Sequence, residues 1–146
     1  DDAGGAFPYT VCYGTGIDPN APPPEPEEPK GPDATLAVGD SYTWEGEPTT
    51  NASFALGCDA PEGEGCDETL IDVSEAGTLT VDIADAAMLS DFDLSVVAPD
   101  GTVLSDGSPG STESVVIPDA GAGVYTVRVE AFATVGSVYR GTATLT

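Results

Sequence analysis

Twenty-six acidic residues and no histidine bound the chemistry open to this 146-residue chain. Without an imidazole, a Ser-His-Asp triad, a Cys-His pair and histidine-rich zinc sites are excluded, and three cysteines are too few for a four-thiolate site. Carboxylate pairs able to move protons are abundant, but on a surface this acidic their abundance singles out no pair. Catalysis is therefore not expected of this domain. The residues best spaced for specific chemistry are Asp91, Asp93 and Asp100, joined by Asp67 and Glu68. Hard oxygen donors on loops at one end of a β-fold suit calcium, the one cofactor expected here. The competing reading makes Asp91 and Asp93 solvated strand residues flanking an inward Phe92, and Asp100-Gly101 plain turn chemistry.

The cysteines carry a second chemistry. Cys58 and Cys66 bracket Asp-Ala-Pro-Glu-Gly-Glu-Gly, a turn-rich loop that can bring its ends together, so a disulfide between them is expected. Closing so short a loop is worth about 2.5 kcal/mol in the chain-entropy account. Cys12 is then the odd thiol, either bridged to another chain or buried free. Tyr42, Trp44 and Tyr139 could form a sugar-stacking platform, although an alternating Trp in a sandwich more often belongs to the core.

A net charge of −23 repels phosphate backbones and anionic bilayers alike, so neither nucleic acid nor membrane insertion is expected. The same charge fits a protein kept soluble in high salt, where screening removes the repulsion between carboxylates. No run of eighteen apolar residues is present, and the chain opens at Asp1 without an initiator Met. With the cysteine usage, this leads to the expectation of a secreted, extracellular or cell-surface protein whose signal has been removed. Asn51-Ala52-Ser53 matches the N-glycosylation pattern, which matters only in a host that glycosylates.

These groups need elements to position them, and the sequence supplies only strands. Residues 1–18 form an arm in which Phe7, Tyr9, Val11 and Tyr13 alternate with Pro8, Thr10 and Cys12, a period-2 strand with no adjacent partner. Residues 19–33 hold seven of the thirteen prolines among Glu25, Glu27 and Glu28, an extended spacer reaching about 45 Å at about 3.1 Å per residue. Residues 34–146 form the domain proper. Alternation at Tyr42/Trp44, Phe54/Leu56, Thr69/Ile71/Val73, Leu79/Val81/Ile83, Phe92/Leu94/Val96, Val103/Leu104, Val115/Ile117, Tyr125/Val127/Val129 and Tyr139 to Leu145, punctuated by turns such as Pro99-Asp100-Gly101, predicts about eight strands. Ala84 to Leu89 is apolar but short, and reads as a loop or a single turn. The fold class is all-β: an antiparallel jelly-roll-like β-sandwich with an N-terminal strand arm on a Pro-rich tether.

From Asp67 onward the order of motifs resembles the bacterial pre-peptidase C-terminal (PPC) domain, a jelly-roll-like sandwich appended to secreted peptidases. The likeness runs through Asp67-Glu68-Thr69-Leu70, Ala76-Gly77-Thr78-Leu79-Thr80-Val81, Asp91-Phe92-Asp93-Leu94-Ser95-Val96, Pro99-Asp100-Gly101, Glu113-Ser114-Val115 and Ala122-Gly123-Val124-Tyr125-Thr126-Val127-Arg128-Val129. Asp-x-Asp-Leu before Pro-Asp-Gly also resembles the P domain of subtilisin-like convertases, a related sandwich. The resemblance implies an accessory domain, and some PPC-like domains bind calcium. The aromatic arm, the acidic spacer and Cys12 depart from the family pattern. They point to a non-catalytic secreted structural subunit of an extracellular filament or surface assembly, a homo-oligomer in which the Phe7 to Tyr13 strand adds head to tail to a neighbour's sheet. The alternative is a calcium-stabilised accessory or carbohydrate- or protein-binding module whose arm folds back on its own domain.

Overall fold

A computed structural model describes residues 31–47, 58, 66–85, 90–133 and 138–146. Among them lie nine strands and no helix: β1 (Ala34–Leu36), β2 (Ser41–Gly46), β3 (Cys66–Val73), β4 (Gly77–Asp85), β5 (Asp91–Val97), β6 (Val103–Asp106), β7 (Thr112–Ala120), β8 (Gly123–Ala133) and β9 (Tyr139–Leu145). They form a five-stranded sheet of order β1-β3-β8-β5-β6 and a four-stranded sheet of order β2-β9-β4-β7, the expected β-sandwich. The arm, most of the spacer, Phe54, Leu56 and residues 86–89 fall outside the described residues.

Period-2 alternation explains the layering. Leu79, Val81 and Ile83 of β4, Phe92, Leu94 and Val96 of β5, Tyr125, Val127 and Val129 of β8, and Tyr139, Ala143 and Leu145 of β9 are all buried between the sheets. The polar residues between them face out, so one core forms from two amphipathic surfaces. Two features differ from the expectation. β1 is a ninth strand, three residues long, and it pairs parallel with β3, so the sandwich is not wholly antiparallel. Three residues carry too little alternation to be read as a strand; β1 is held instead by its ladder and by Asp33, whose N–H donates to the Leu70 carbonyl at 2.7 Å.

The turns follow their local chemistry. Gly101 supplies the φ of 90° that closes the β5–β6 hairpin, and its N–H donates to the Ala98 carbonyl at 2.9 Å. The Tyr125 hydroxyl donates back to the Gly121 carbonyl at 3.0 Å, pinning the β7–β8 connection. Cys58 and Cys66 are joined in a disulfide with Cα atoms 4.9 Å apart, the pairing expected from the loop.

Gly141 on β9 lies opposite Trp44 on β2, and a Cβ there would collide with the indole. Gly141→Ala is expected to displace Trp44 and cost about 1–3 kcal/mol, as overpacking does. Urea unfolding and Trp44 fluorescence check this: loss of stability should come with a red-shifted emission.

Candidate functional site

The structure separates the residues whose spacing suggested a cation site. Asp67 on β3 is half-buried and accepts from the Tyr139 hydroxyl, which in turn accepts from Trp44 Nε1 at 3.2 Å. Burial raises the Asp67 carboxyl above its usual range, and the Tyr139 bond lowers it in part. Asp67 therefore takes part in a polar link between the sheets. Glu68 faces Arg128 of β8 at 3.2 Å. Asp100 sits in the β5–β6 turn, accepting from the Thr102 N–H at 2.9 Å, a bond that holds its carboxyl below the usual range. Asp91 lies at the opposite end of β5 from that turn. Among the described residues no three acidic or thiol side chains converge as metal ligands. Tyr42, Trp44 and Tyr139 do meet, with Tyr42 and Trp44 stacked at 5.7 Å between ring centroids and Tyr139 buried in the core.

What the structure brings to Asp91 and Asp93 is a different pair of acids, Asp106 at the end of β6 and Glu113 near the start of β7. The strap of residues 107–111 joins them. Asp91 accepts from the Gly110 N–H at 3.3 Å, and Asp106 accepts from the Ser108 N–H, the Ser108 hydroxyl and the Ser114 N–H at 3.2, 2.9 and 3.1 Å. These donors hold Asp106 below the usual carboxylate range. Asp93, beside Asp91 and Glu130, is raised first by burial and then by both neighbours.

Glu113 is the anomaly of the molecule. It is 3% exposed, and neither carboxylate oxygen has a hydrogen-bond partner as an ion. Burial foremost, then the charges of Asp106, Asp93 and Asp91, pushes its pKa up to about 7. A proton on Glu113 resolves the conflict, because the neutral acid can donate to Asp106 while the carboxylate can only repel it. The arrangement therefore stores a proton near neutral pH. Below it runs an open groove of about 360 Å³ bordered by Asp82, Asp106, Ser114 and Arg140, in which the Ser114 hydroxyl donates to Asp82 at 2.6 Å and Arg140 pairs with Glu45 at 3.0 Å. Neither Asp106 nor Glu113 is among the residues whose spacing suggested a cation site. A signal for Glu113 was present: it occupies the inward phase of Glu113, Val115 and Ile117, where an apolar residue belongs. Phe7, Tyr9, Val11, Tyr13 and Cys12 lie outside the described residues.

With the fold in hand, comparison with known proteins gives a consistent result. The family model of the bacterial pre-peptidase C-terminal domain matches residues 59–131, half of the chain. The fold is similar to the crystal structure, at 1.0 Å, of the pre-peptidase C-terminal domain of a collagenase from Bacillus anthracis. That similarity has a TM-score of 0.53 at 10% identity and covers 82% of this chain and 100% of the other. No curated protein matches the sequence.

Glu113 generates a pH dependence with a definite sign. Its folded pKa of about 7 lies above the unfolded value near 4.5, so the folded state holds the proton more tightly between the two. Its contribution to stability is full below about pH 4.5 and is lost as pH rises to 7. Glu113→Gln keeps a neutral donor toward Asp106 at every pH. The variant is expected to gain stability over the wild type on going from pH 5 to pH 8, measured by urea unfolding at both; an unchanged difference refutes the assignment.

Proposed function

Because the chain belongs to the bacterial pre-peptidase C-terminal domain family, we propose that it serves as a non-catalytic structural module of a secreted system, assembling head to tail through its N-terminal arm. Domains of this family are β-sandwiches, often C-terminal modules of secreted proteases. The observation that supports the reading is the combination of an aromatic, alternating sequence followed by a Pro-rich spacer with two sheets that, among the described residues, both end on edge strands and do not close into a barrel. An open edge presents unpaired N–H and C=O groups, and an alternating segment such as Phe7 to Tyr13 is the complement that strand addition requires. The Cys58–Cys66 disulfide supports an oxidising, extracellular setting. Among the described residues no helix is long and apolar enough to cross a membrane.

Strand addition of this kind is heterologous, so it produces an open fibre unless the rotation between subunits closes a ring. Sedimentation and electron microscopy of the native protein test the reading. The wild type should form concentration-dependent oligomers or filaments, while a chain lacking residues 1–17 should stay a folded monomer. Tyr9→Asp places a charge on the face of the arm that docks, and should raise the concentration needed for assembly by at least about tenfold, the equivalent of about 1.4 kcal/mol, with no change in melting temperature. A wild type that stays monomeric at every concentration overturns assembly and leaves a self-contained accessory module.

A further inference from the structure

Among the described residues four strands lie at sheet edges, β1 and β6 in one sheet and β2 and β7 in the other. They are not equivalent as acceptors. β1 and β6 are three and four residues long, too short to match the seven residues from Phe7 to Tyr13. β7 is nine residues long but blunted.

The ladder shows how. Thr78 and Thr146 exchange backbone hydrogen bonds at 2.7 and 2.9 Å, so the even-numbered residues of β9 point their backbone at β4. Its odd-numbered residues point at β2, as the Leu145 N–H does when it donates to the Asp40 carbonyl at 3.0 Å. With Tyr42 in register with Ala143, and Leu79 with Ile117, the groups left facing outward are those of Ser41, Thr43 and Glu45 on β2 and of Ser114, Val116 and Pro118 on β7. On β7 the Ser114 donor is already taken by Asp106 at 3.1 Å, and Pro118 has none. On β2 all three outward residues keep both groups, with no partner among the described residues. Its inward side chains, Tyr42 and Trp44, pack on the core and are only half-buried.

We propose that β2 is the acceptor edge, and that residues 7–13 of a second copy add to it parallel to β2 with Phe7, Tyr9, Val11 and Tyr13 turned inward over Tyr42 and Trp44. This rests on the strand-addition reading above and assigns its surface and direction. The direction comes from Pro8. Along a strand, side chains and backbone groups alternate together, so Phe7, Tyr9, Val11 and Tyr13 send their N–H groups to one edge and Pro8, Thr10 and Cys12 to the other.

In an antiparallel pair the residues exchanging hydrogen bonds stand directly opposite, with side chains on one face. Ser41, Thr43 and Glu45, whose side chains are exposed, would then pair with Pro8, Thr10 and Cys12, and Pro8 has no N–H to offer. In a parallel pair each outward residue of β2 bonds the two residues flanking its register partner. Those belong to the Phe7, Tyr9, Val11 and Tyr13 set, and the missing donor of Pro8 faces solvent, where an edge strand tolerates it.

Proline scanning of the full chain, read by sedimentation and electron microscopy, tests both parts. Thr43→Pro removes an outward donor of β2 without touching the β2–β9 ladder, and should cut assembly at least tenfold. Val116→Pro does the same on β7 and should leave assembly unchanged. On the arm, Val11→Pro should block assembly and Thr10→Pro should not; this pair decides the matter even if Thr43→Pro fails to fold. If Val116→Pro blocks assembly and Thr43→Pro does not, β7 is the acceptor and the assignment falls while strand addition stands. If neither does but Tyr9→Asp still blocks, the acceptor lies elsewhere and β2 is excluded. Assembly blocked by Thr10→Pro and spared by Val11→Pro overturns the parallel direction. A monomeric wild type whose melting temperature drops on Val11→Pro but not on Thr10→Pro places the arm on its own domain and overturns the second copy.

Discussion

The sandwich turns on one buried side chain, Tyr139. Its ring is 1% exposed and meets Phe92 of the opposite sheet edge-on, with 5.6 Å between centroids. Its hydroxyl then crosses to Asp67 of that same sheet while accepting from Trp44 of its own. Burial raises the hydroxyl well above the usual tyrosine range, so it stays protonated and serves as a donor to Asp67. A polar group buried without partners would oppose folding; joined in this relay it orients both sheets and fixes Trp44 over Gly141. The neighbouring glycine at position 46 follows from the same crowding, since a Cβ there would lie 2.6 Å from the Tyr139 ring and strike Asp67.

Around this core the protein solves a charge problem with few cations. Arg128 and Arg140 each face a glutamate, and several of the other described carboxylates accept from backbone N–H groups instead. Asp40 accepts from Ala37, Glu75 from Val38, Asp33 from Leu70, Asp85 from Ser90 and Asp100 from Thr102, so the acids double as the caps of turns and strand ends. Where such donors hold a carboxyl low, as at Asp100 and Asp106, the stabilisation is present above the ordinary carboxylate range and is lost as pH falls through it. Glu113 runs in the opposite sense because no donor reaches it. The two trends oppose each other across mildly acidic pH. The strap between β6 and β7, tied by Asp91 and Asp106 and abutting Glu113, is where they meet.

Much of this was legible in the sequence because strands announce themselves by alternation. Leu79 to Ile83, Phe92 to Val96 and Tyr125 to Val129 each place their apolar phase inward as read, and the loop between Cys58 and Cys66 closes as its composition implies. The proposed ligand set shows where that reading stops. Asp91 and Asp100 are close in sequence, yet Asp91 opens the seven-residue strand β5 and Asp100 lies in the turn beyond its other end, and at about 3.3 Å per residue the strand carries them about 20 Å apart. Asp106 and Glu113 come together instead because β6 and β7 sit at the edges of different sheets and the strap crosses between them, a pairing that only the three-dimensional order reveals. β1 is not legible in the sequence for a related reason: its place is set by β3, through Asp33 and Leu70, and its own three residues encode almost nothing.

Edge strands connect this architecture to its charge. Among the described residues four strands end the two sheets, and three of them carry a device against pairing: brevity at β1 and β6, Pro118 and the Asp106 cap at β7. β2 shows none among the described residues, and its one charged member, Glu45, pairs with Arg140. What opposes pairing there is the field of the whole molecule, since two bodies of net charge −23 repel each other over the Debye length, about 10 Å at 0.1 M salt and about 3 Å at 1 M. A backbone ladder acts only at hydrogen-bond distance and is insensitive to that screening. Salt therefore removes the long-range barrier while leaving any short-range ladder intact, so ionic strength sets how closely two chains of this acidity can approach.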